Sequence, residues 1–210
     1  MRSDDPETEV LIRDAATGDE RATERLLDRC RDRLRRMVAL RLDPRLAARL
    51  DASDVVQEVL AEAAEKLDDY LRVRPLPFYP WLHRLAAERL GQVHRRHVIA
   101  QARAVGREQA TGLTLPDESS AQLADRLAAS GTSPSQRLLR DELILRLRQT
   151  LTRLAPNDRE VLVMYYLEGL SFFEMAAILN ISEGAAKVRH FRAMERIRKL
   201  MGDDIRGRDG

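Results

Sequence analysis

The sequence LSFFEMAAILNISEGAAKVR runs from Leu170 to Arg189 and carries the signals for two short helices joined by a tight turn. Ser171 and Glu174 stand three residues apart, as in a capping box, where the two side chains satisfy backbone amides at a helix start. Asn180 tolerates the left-handed conformation that ends a helix, and Ser182 is suited to cap the next one. This spacing predicts a helix-turn-helix.

The second helix of this motif is predicted to have one packed and one free face. Six apolar residues fall on one side of a helical projection: Ala186, Ala193, Met194, Ile197, Leu200 and Met201. The residues that point elsewhere are Lys187, Val188, Arg192 and Arg198. A solvated basic surface is the alternative interpretation, but the two caps favour a helix that lies in the major groove of DNA. The positions expected nearest the bases are Glu183, Gly184, Ala185, Lys187 and Val188.

Upstream of this motif, Ala155-Pro156-Asn157-Asp158 marks the end of one helix and the start of another. Proline is accommodated at the first position of a helix and is excluded from its interior. We therefore predict a four-helix module over residues 135–201, with the helix-turn-helix last, followed by a short tail over 202–210.

The N-terminal part of the chain contains a second helical module, predicted over residues 6–103. Thr17-Gly18-Asp19 ends a short first helix, and Asp43-Pro44 ends a long second helix. A third helix starts near Asp51, with an apolar face formed by Val56, Leu60, Ala63, Leu67 and Leu71. An acidic stripe lies opposite and consists of Asp51, Asp54, Glu58, Glu62 and Glu65. Helix capping explains only its first turn, so the stripe suggests a basic protein partner.

Three prolines, at 75, 77 and 80, predict a loop before a fourth helix that opens at about Trp81. This helix becomes strongly basic towards His94-Arg95-Arg96-His97. The aromatic residues Tyr70, Phe78 and Tyr79 lie near the loop and are candidate surfaces for stacking bases. Core packing is the alternative role for these rings, and we expect it for at least two of them and for Trp81.

Composition limits the classes of function. The 210 residues carry a formal net charge of only +2, so any binding of DNA depends on local segregation of charge. Cys30 is the single cysteine, which excludes an internal disulfide and a multi-thiolate zinc site. The sequence lacks a Gly-rich phosphate loop, a His-Glu-x-x-His helix and a Gly-x-Ser-x-Gly elbow. We expect an all-α protein of two small domains, without enzymatic activity, catalytic residues, cofactor or metal, that is cytoplasmic and does not insert into membranes.

Between the two modules, residues 104–134 are rich in glycine, proline, serine and threonine. This composition predicts a flexible linker, with one short helix around Leu123 to Leu127.

Three motifs in this order resemble the sigma-70 family of bacterial RNA polymerase subunits. Asp51-Ala52-Ser53-Asp54-Val55-Val56-Gln57-Glu58 looks like the signature of its polymerase-binding helix, and Trp81-Leu82-His83-Arg84-Leu85-Ala86 is similar to the opening of its promoter-melting helix. Ile181 to Arg189 resembles its recognition helix. Order, linker and length are similar to those of the extracytoplasmic-function (ECF) subfamily, which keeps only the second and fourth conserved regions.

The resemblance implies a division of labour between the two domains. Core RNA polymerase would be bound by Asp51, Asp54, Gln57 and Glu58. The −10 promoter element would be captured and opened by Phe78, Tyr79, Glu88, Arg89, Gln92, Arg95 and Arg96. The −35 element would be bound by Ser182, Glu183, Gly184, Ala185, Lys187, Val188, Arg189 and Arg192. The expected partners are therefore core polymerase, promoter DNA and an anti-sigma factor, with a monomer expected when these are absent.

Some positions depart from the family pattern. Glu88 stands where asparagine is usual, Ala185 and Ala186 replace a threonine and a larger aliphatic residue, and His190 takes the place of a common leucine on the packed face. These departures keep two alternatives open: a degenerate homologue that acts as an interaction protein, and a stand-alone helix-turn-helix regulator that binds duplex DNA without polymerase.

Overall fold

The computed structural model describes residues 5–42, 46, 50–102, 117–129 and 137–206 of the chain. Within these ranges every regular element is an α-helix, which confirms the predicted all-α fold class. No helix in this part of the chain is both long and apolar enough to cross a membrane. The chain divides into two units, Met1–Thr114 and Leu115–Gly210.

The first unit contains α1 (Pro6–Ala16), α2 (Glu20–Arg41), α3 (Ala52–Glu65), α4 (Leu67–Val73) and α5 (Phe78–Ala102). Local signals define several of these boundaries. Gly18, at φ +87°, makes the break after α1, and the Asp19 carboxylate accepts hydrogen bonds from the amides of Arg21 and Ala22 at the start of α2. The interruption predicted at residues 17–19 is confirmed.

The core of the first unit lies where α2, α3 and α5 pack against one another. Its fully buried residues include Leu26, Leu34, Met37, Val55, Val59, Phe78 and Leu82. Helix α1 covers α2 with Leu11 and Ile12, and α4 packs against α1 and α3. Residues that are distant in the sequence thus meet in one apolar layer, as a domain of this size requires.

Two helix boundaries in this unit differ from the prediction. The helix expected to run from Asp51 through Leu71 is divided at Lys66, whose backbone leaves the helical conformation between α3 and α4. The helix expected to open at Trp81 begins three residues earlier, at Phe78. Pro80 is accommodated there because amides in the first helical turn have no intrahelical acceptor.

The second unit contains α6 (Asp117–Ala129), α7 (Arg137–Arg153), α8 (Pro156–Tyr166), α9 (Phe172–Leu179) and α10 (Glu183–Arg206). Helix α6 lies in the range predicted as a linker and is longer than the short helix expected there. It packs against α7 and α8 and buries Leu123, Ala124 and Leu127. The other predicted linker residues, 104–116 and 130–134, are outside the described ranges.

Helix α10 contacts α7, α8 and α9 and so organises the second unit. Its side of the core contains Ala186, Ala193 and Ile197, and the facing helices contribute Leu151, Leu162 and Met175. The helix continues to Arg206, beyond the point at which a tail was predicted. Helix α8 starts with Pro156 at its first turn, as its sequence indicated.

Candidate nucleic-acid and protein interfaces

Most of the acidic side of α3 is exposed, and Glu62 is partly buried. Asp51 caps the helix, since its carboxylate accepts a hydrogen bond of 2.6 Å from the Ser53 amide. That bond, with a second from the Ser53 side chain and the charge of Arg35, holds the pKa of Asp51 below its ordinary value. Asp54, Gln57 and Glu58 are exposed, and the buried valines of α3 face the core. The helix therefore presents three carboxylates and an amide to solvent.

Further along α3, Glu62 accepts a hydrogen bond of 2.5 Å from the Lys66 ammonium. This bond raises the pKa of Lys66, and the charges of Glu62, Glu88 and Glu65 act in the same direction. Glu88 itself is exposed on α5. Its carboxylate thus belongs to an acidic environment that includes residues of α3.

An ion pair connects α3 to α5. The Arg89 guanidinium donates two hydrogen bonds to Glu58 Oε2, the one from Nε at 2.7 Å, and Arg89 Nη1 lies 3.4 Å from Gln92 Oε1. The Glu58 side chain is 50% exposed and that of Arg89 is 25% exposed. A residue predicted to bind polymerase is therefore paired with one predicted to bind DNA.

The remaining predicted −10 residues on α5 lie at its surface. Gln92, Arg95 and Arg96 are exposed. The Arg95 guanidinium folds back over Gly91, where an added Cβ would meet its Nη1 at 3.3 Å. The basic end predicted for this helix is thus accessible up to residue 96, and the side chains of residues 97–102 lie outside the described part.

Two residues that the sequence predicted to contact the −10 element, Phe78 and Tyr79, lie in the core of this structure. Phe78 is completely buried and Tyr79 is 4% exposed. Tyr70 stacks on Trp81 with ring centroids 4.5 Å apart, and the edge of Phe78 packs against Tyr70 at 5.4 Å. The Arg33 guanidinium lies 3.7 Å from the centroid of the Tyr79 ring. Because protein groups already cover these rings, they form a core cluster and have no free face for a base.

The helix-turn-helix has the local geometry that its sequence predicted. Ser171 Oγ accepts from the Glu174 amide at 3.2 Å, and the Glu174 carboxylate accepts from the Ser171 amide at 2.9 Å. Asn180 adopts the left-handed conformation, with φ 53°, at the end of α9. Ser182 Oγ then accepts from the Ala185 amide at 3.1 Å, so it caps α10. The capping box, the turn and the second cap are confirmed.

The free side of α10 contains most of the residues predicted to bind the −35 element. Six are exposed and two, Glu183 and Arg189, are partly buried; the exposed ones are Ser182, Gly184, Ala185, Lys187, Val188 and Arg192. The Lys187 ammonium lies 2.9 Å from the Glu183 carboxylate, one helical turn away. The structure also exposes Phe191, at 56%, which the sequence interpretation did not include.

His190 lies among three aromatic rings. Its ring centroid is 4.6 Å from that of Tyr165, 5.6 Å from Tyr166 and 5.4 Å from Phe172. Burial lowers the pKa of His190, and its Nε2 is buried with no hydrogen-bond partner among the described residues. The neutral imidazole is therefore the form that this environment favours.

A polar contact that the sequence did not predict ties α8 to α10. The buried Asp158 carboxylate accepts a hydrogen bond from the Arg196 guanidinium. Next to it, Arg159 Nη2 donates to the Thr152 and Leu154 carbonyl oxygens, each at 3.2 Å, and so caps the end of α7. These contacts link α8 to α10 and to the end of α7, so they stabilise the helices that pack around the helix-turn-helix.

Comparisons with known proteins find similarity to one family of RNA polymerase subunits. The family model for region 4 of sigma-70 matches residues 144–197, which span the helix-turn-helix and part of its support. The ECF RNA polymerase sigma factor SigD of Mycobacterium tuberculosis is 29% identical over 191 residues, covering 90% of this chain and 82% of its own. The ECF RNA polymerase sigma-E factor of Escherichia coli is 26% identical over 189 residues, covering 90% and 91%. The chain is similar to ECF RNA polymerase sigma factors over about nine tenths of its length.

The fold of this sigma factor agrees with a solved relative. The structure of CnrH in complex with the cytosolic domain of CnrY aligns with a TM-score of 0.54 at 24% identity, covering 94% of this chain and 99% of CnrH. The expected all-α fold and the expected role in promoter-specific transcription initiation are confirmed, and neither alternative role is favoured. The individual site residues remain predictions.

Proposed function

We propose that this sigma factor binds bacterial core RNA polymerase through an acidic face on α3 formed by Asp51, Asp54, Gln57 and Glu58. The exposure of this face supports the proposal most strongly. Helix capping and the helix dipole explain Asp51 and Asp54 at the start of the helix. They do not explain Glu58, which lies beyond the first turn. An exposed row of carboxylates is complementary to a basic surface on a larger partner.

Each of the two units would then bind a different part of the promoter DNA. In the first unit, the exposed polar residues of α5, from Glu88 to Arg96, are positioned to follow a separated strand. In the second, the free side of α10 is shaped to enter the major groove, with its cations toward phosphates. Buried Phe78 and Tyr79 are left out of this proposal.

A regulatory protein partner is also proposed. The matched solved structure holds CnrH in complex with the cytosolic domain of CnrY. By analogy, we expect this chain to have an anti-sigma partner that competes with polymerase or promoter DNA.

Reversal of charge on α3 tests the polymerase contact. Asp54→Lys/Glu58→Lys is expected to weaken binding of the full chain to core RNA polymerase by at least about a hundredfold, because two attractive contacts become repulsive. The measurement is co-elution with core polymerase over a concentration series, with circular dichroism to show that the variant is folded.

The matched control is Asp14→Lys/Glu24→Lys, which changes the net charge by the same amount at exposed positions of α1 and α2. It should bind like the wild type. Equal loss in both variants would mean that overall charge governs binding, and no loss in the α3 variant would remove the proposed polymerase site.

A further inference from the structure

An apolar stripe runs along the first turns of the free side of α10. Gly184, Val188 and Phe191 follow one another at intervals of four and three residues and so lie on one helical face. Val188 is 48% exposed and Phe191 is 56% exposed. At about 100° per residue, this face is opposite to the one formed by the buried residues Ala186, Ala193 and Ile197. The stripe is therefore not an extension of the core.

Basic residues lie on both sides of the stripe. Lys187 and Arg198 share one flank, and Arg192 and Lys199 share the other, and all four are exposed. In the major groove the base edges form the floor and the phosphates form both walls. On this face the stripe ends at the exposed Glu195, four residues after Phe191. Over residues 184–191 an apolar stripe between two cationic flanks is complementary to the major groove, and this charge pattern favours duplex DNA over an apolar protein surface.

The chemistry of the stripe limits what it can distinguish in DNA. Gly184, Val188 and Phe191 have no side-chain hydrogen-bonding group, and neither does Ala185 beside them. Over residues 184–191 this line therefore offers no side-chain hydrogen bond to the base edges that identify guanine and adenine. The apolar group that the major groove offers is the C5 methyl of thymine.

Gly184 permits a close approach of the first turn. A Cβ added there would meet only Ser182 Oγ, at 4.0 Å, so this side of the helix start is open. With Ala185 next to it, the start of α10 has little bulk to hold Val188 and Phe191 away from the groove floor.

We propose that Val188 and Phe191 are specificity-determining residues that contact thymine methyl groups in the −35 element. This inference rests on the proposed function, since it assumes that α10 enters the major groove. It adds a preference for thymine at defined positions and a residue, Phe191, that the family motif did not indicate.

The test uses holoenzyme made from the full chain and bacterial core RNA polymerase. A duplex library randomised in the −35 region is selected for binding, and thymines in the selected duplex are then replaced singly by deoxyuridine. This replacement removes one methyl group and leaves every hydrogen-bonding group unchanged. At one or two positions we expect binding to weaken about fourfold, the effect of removing one buried methyl from apolar contact.

Alanine variants test whether the stripe causes this sensitivity to the thymine methyl group. For Val188→Ala and Phe191→Ala, the ratio of thymine to uracil affinity at the sensitive position should fall from about four toward one. Arg192→Ala is the contrasting variant: it should weaken both duplexes together and keep the ratio, because a phosphate contact carries no base information. Replacing cytosine by 5-methylcytosine at neighbouring positions shows whether a methyl group alone is sufficient.

The outcomes separate this inference from the proposed function. Failure to form a holoenzyme, or to select any duplex, overturns the proposed function and the inference with it. Selective binding that is insensitive to uracil, or that stays sensitive in both alanine variants, overturns the inference alone. If binding is selective but insensitive to uracil, the stripe would be assigned to a protein partner instead of DNA.

Discussion

His190 shows how a titratable side chain is accommodated on the packed side of a recognition helix. The aromatic rings of Tyr165, Tyr166 and Phe172 surround it, and these supply apolar contact but no hydrogen bond to Nε2 from the described residues. The charged groups nearest this cluster include Lys187, whose ammonium is 6.0 Å from the Phe172 centroid, and Arg198, whose charge acts on Tyr166. Both cations would repel the positive charge of a protonated His190 imidazole.

We therefore expect the second unit to lose stability in acid. Burial holds the pKa of His190 below 6.5, so the unfolded chain takes up a proton at a higher pH than the folded one. Stability is complete above about pH 6.5 and falls as the pH decreases below it. His190→Leu should remove this contribution, so the variant gains stability relative to wild type between pH 7.5 and about 5. Hydrogen exchange of amides in α8 and α10 at both pH values measures the difference.

His94→Gln, in the first unit, provides the control for this experiment. It removes a histidine from α5 and should leave the acid sensitivity of α8 and α10 unchanged. The assignment to His190 is wrong if His190→Leu follows the wild-type pH dependence in these helices.

Among the helices, α3 and α5 are coupled by Glu58 and Arg89. Each was predicted to serve a different macromolecule, yet they form an ion pair in the free chain. The Glu58 side chain is 50% exposed and that of Arg89 is 25% exposed, and ion pairs at a protein surface contribute only about 0.2–1 kcal/mol. This coupling is weak enough for a partner of either helix to break it.

Removal of the Glu58 charge should release Arg89 for DNA. We expect Glu58→Gln to increase the affinity of the free chain for single-stranded DNA by up to about fivefold, the upper value for an exposed ion pair. Fluorescence anisotropy with a labelled oligonucleotide at low salt measures this change.

Asp54→Asn is the matched comparison for that variant. It removes the same charge from the same exposed side of α3 without releasing an arginine, so its effect should be smaller. Equal effects of the two variants would show that only the overall charge of α3 matters.

The molecule as a whole separates its charges, although its net charge is only +2. The acidic face of α3 belongs to the first unit and the basic flanks of α10 to the second. Each unit has its own buried core, so substitutions on one surface should leave the other unit folded.

This separation predicts independent effects on polymerase and promoter. Lys187→Ala/Arg192→Ala should weaken promoter binding by the holoenzyme for all sequences and reduce the salt dependence of binding by about two in log–log slope, one for each phosphate contact. Affinity for core polymerase should stay unchanged. Titrations of promoter duplex and of core polymerase at several salt concentrations measure both quantities.

Arg13→Ala/Arg25→Ala removes two exposed cations from α1 and α2 and serves as the control. An unchanged salt slope in the α10 variant, or a loss of polymerase binding, would contradict the assignment of Lys187 and Arg192 to phosphates.

The caps of the helix-turn-helix were predictable because they depend on residues two to four positions apart. Ser171, Glu174, Asn180 and Ser182 satisfy backbone groups of their own segment, and no distant part of the chain is needed for that. The same holds for Asp51 at the start of α3. Helical periodicity likewise predicted which sides of α3 and α10 face the core.

What depends on contacts between distant segments was decided only in the tertiary structure. Phe78 and Tyr79 were candidates both for stacking bases and for core packing, and only the tertiary structure shows that Tyr70, Trp81 and Arg33 pack against them. Glu58 and Arg89 meet although 31 residues separate them, and Asp158 meets Arg196 across 38. Local periodicity specifies which face of a helix is apolar, but the partner of that face depends on how the helices pack, because side chains far apart in sequence become neighbours only when the core forms.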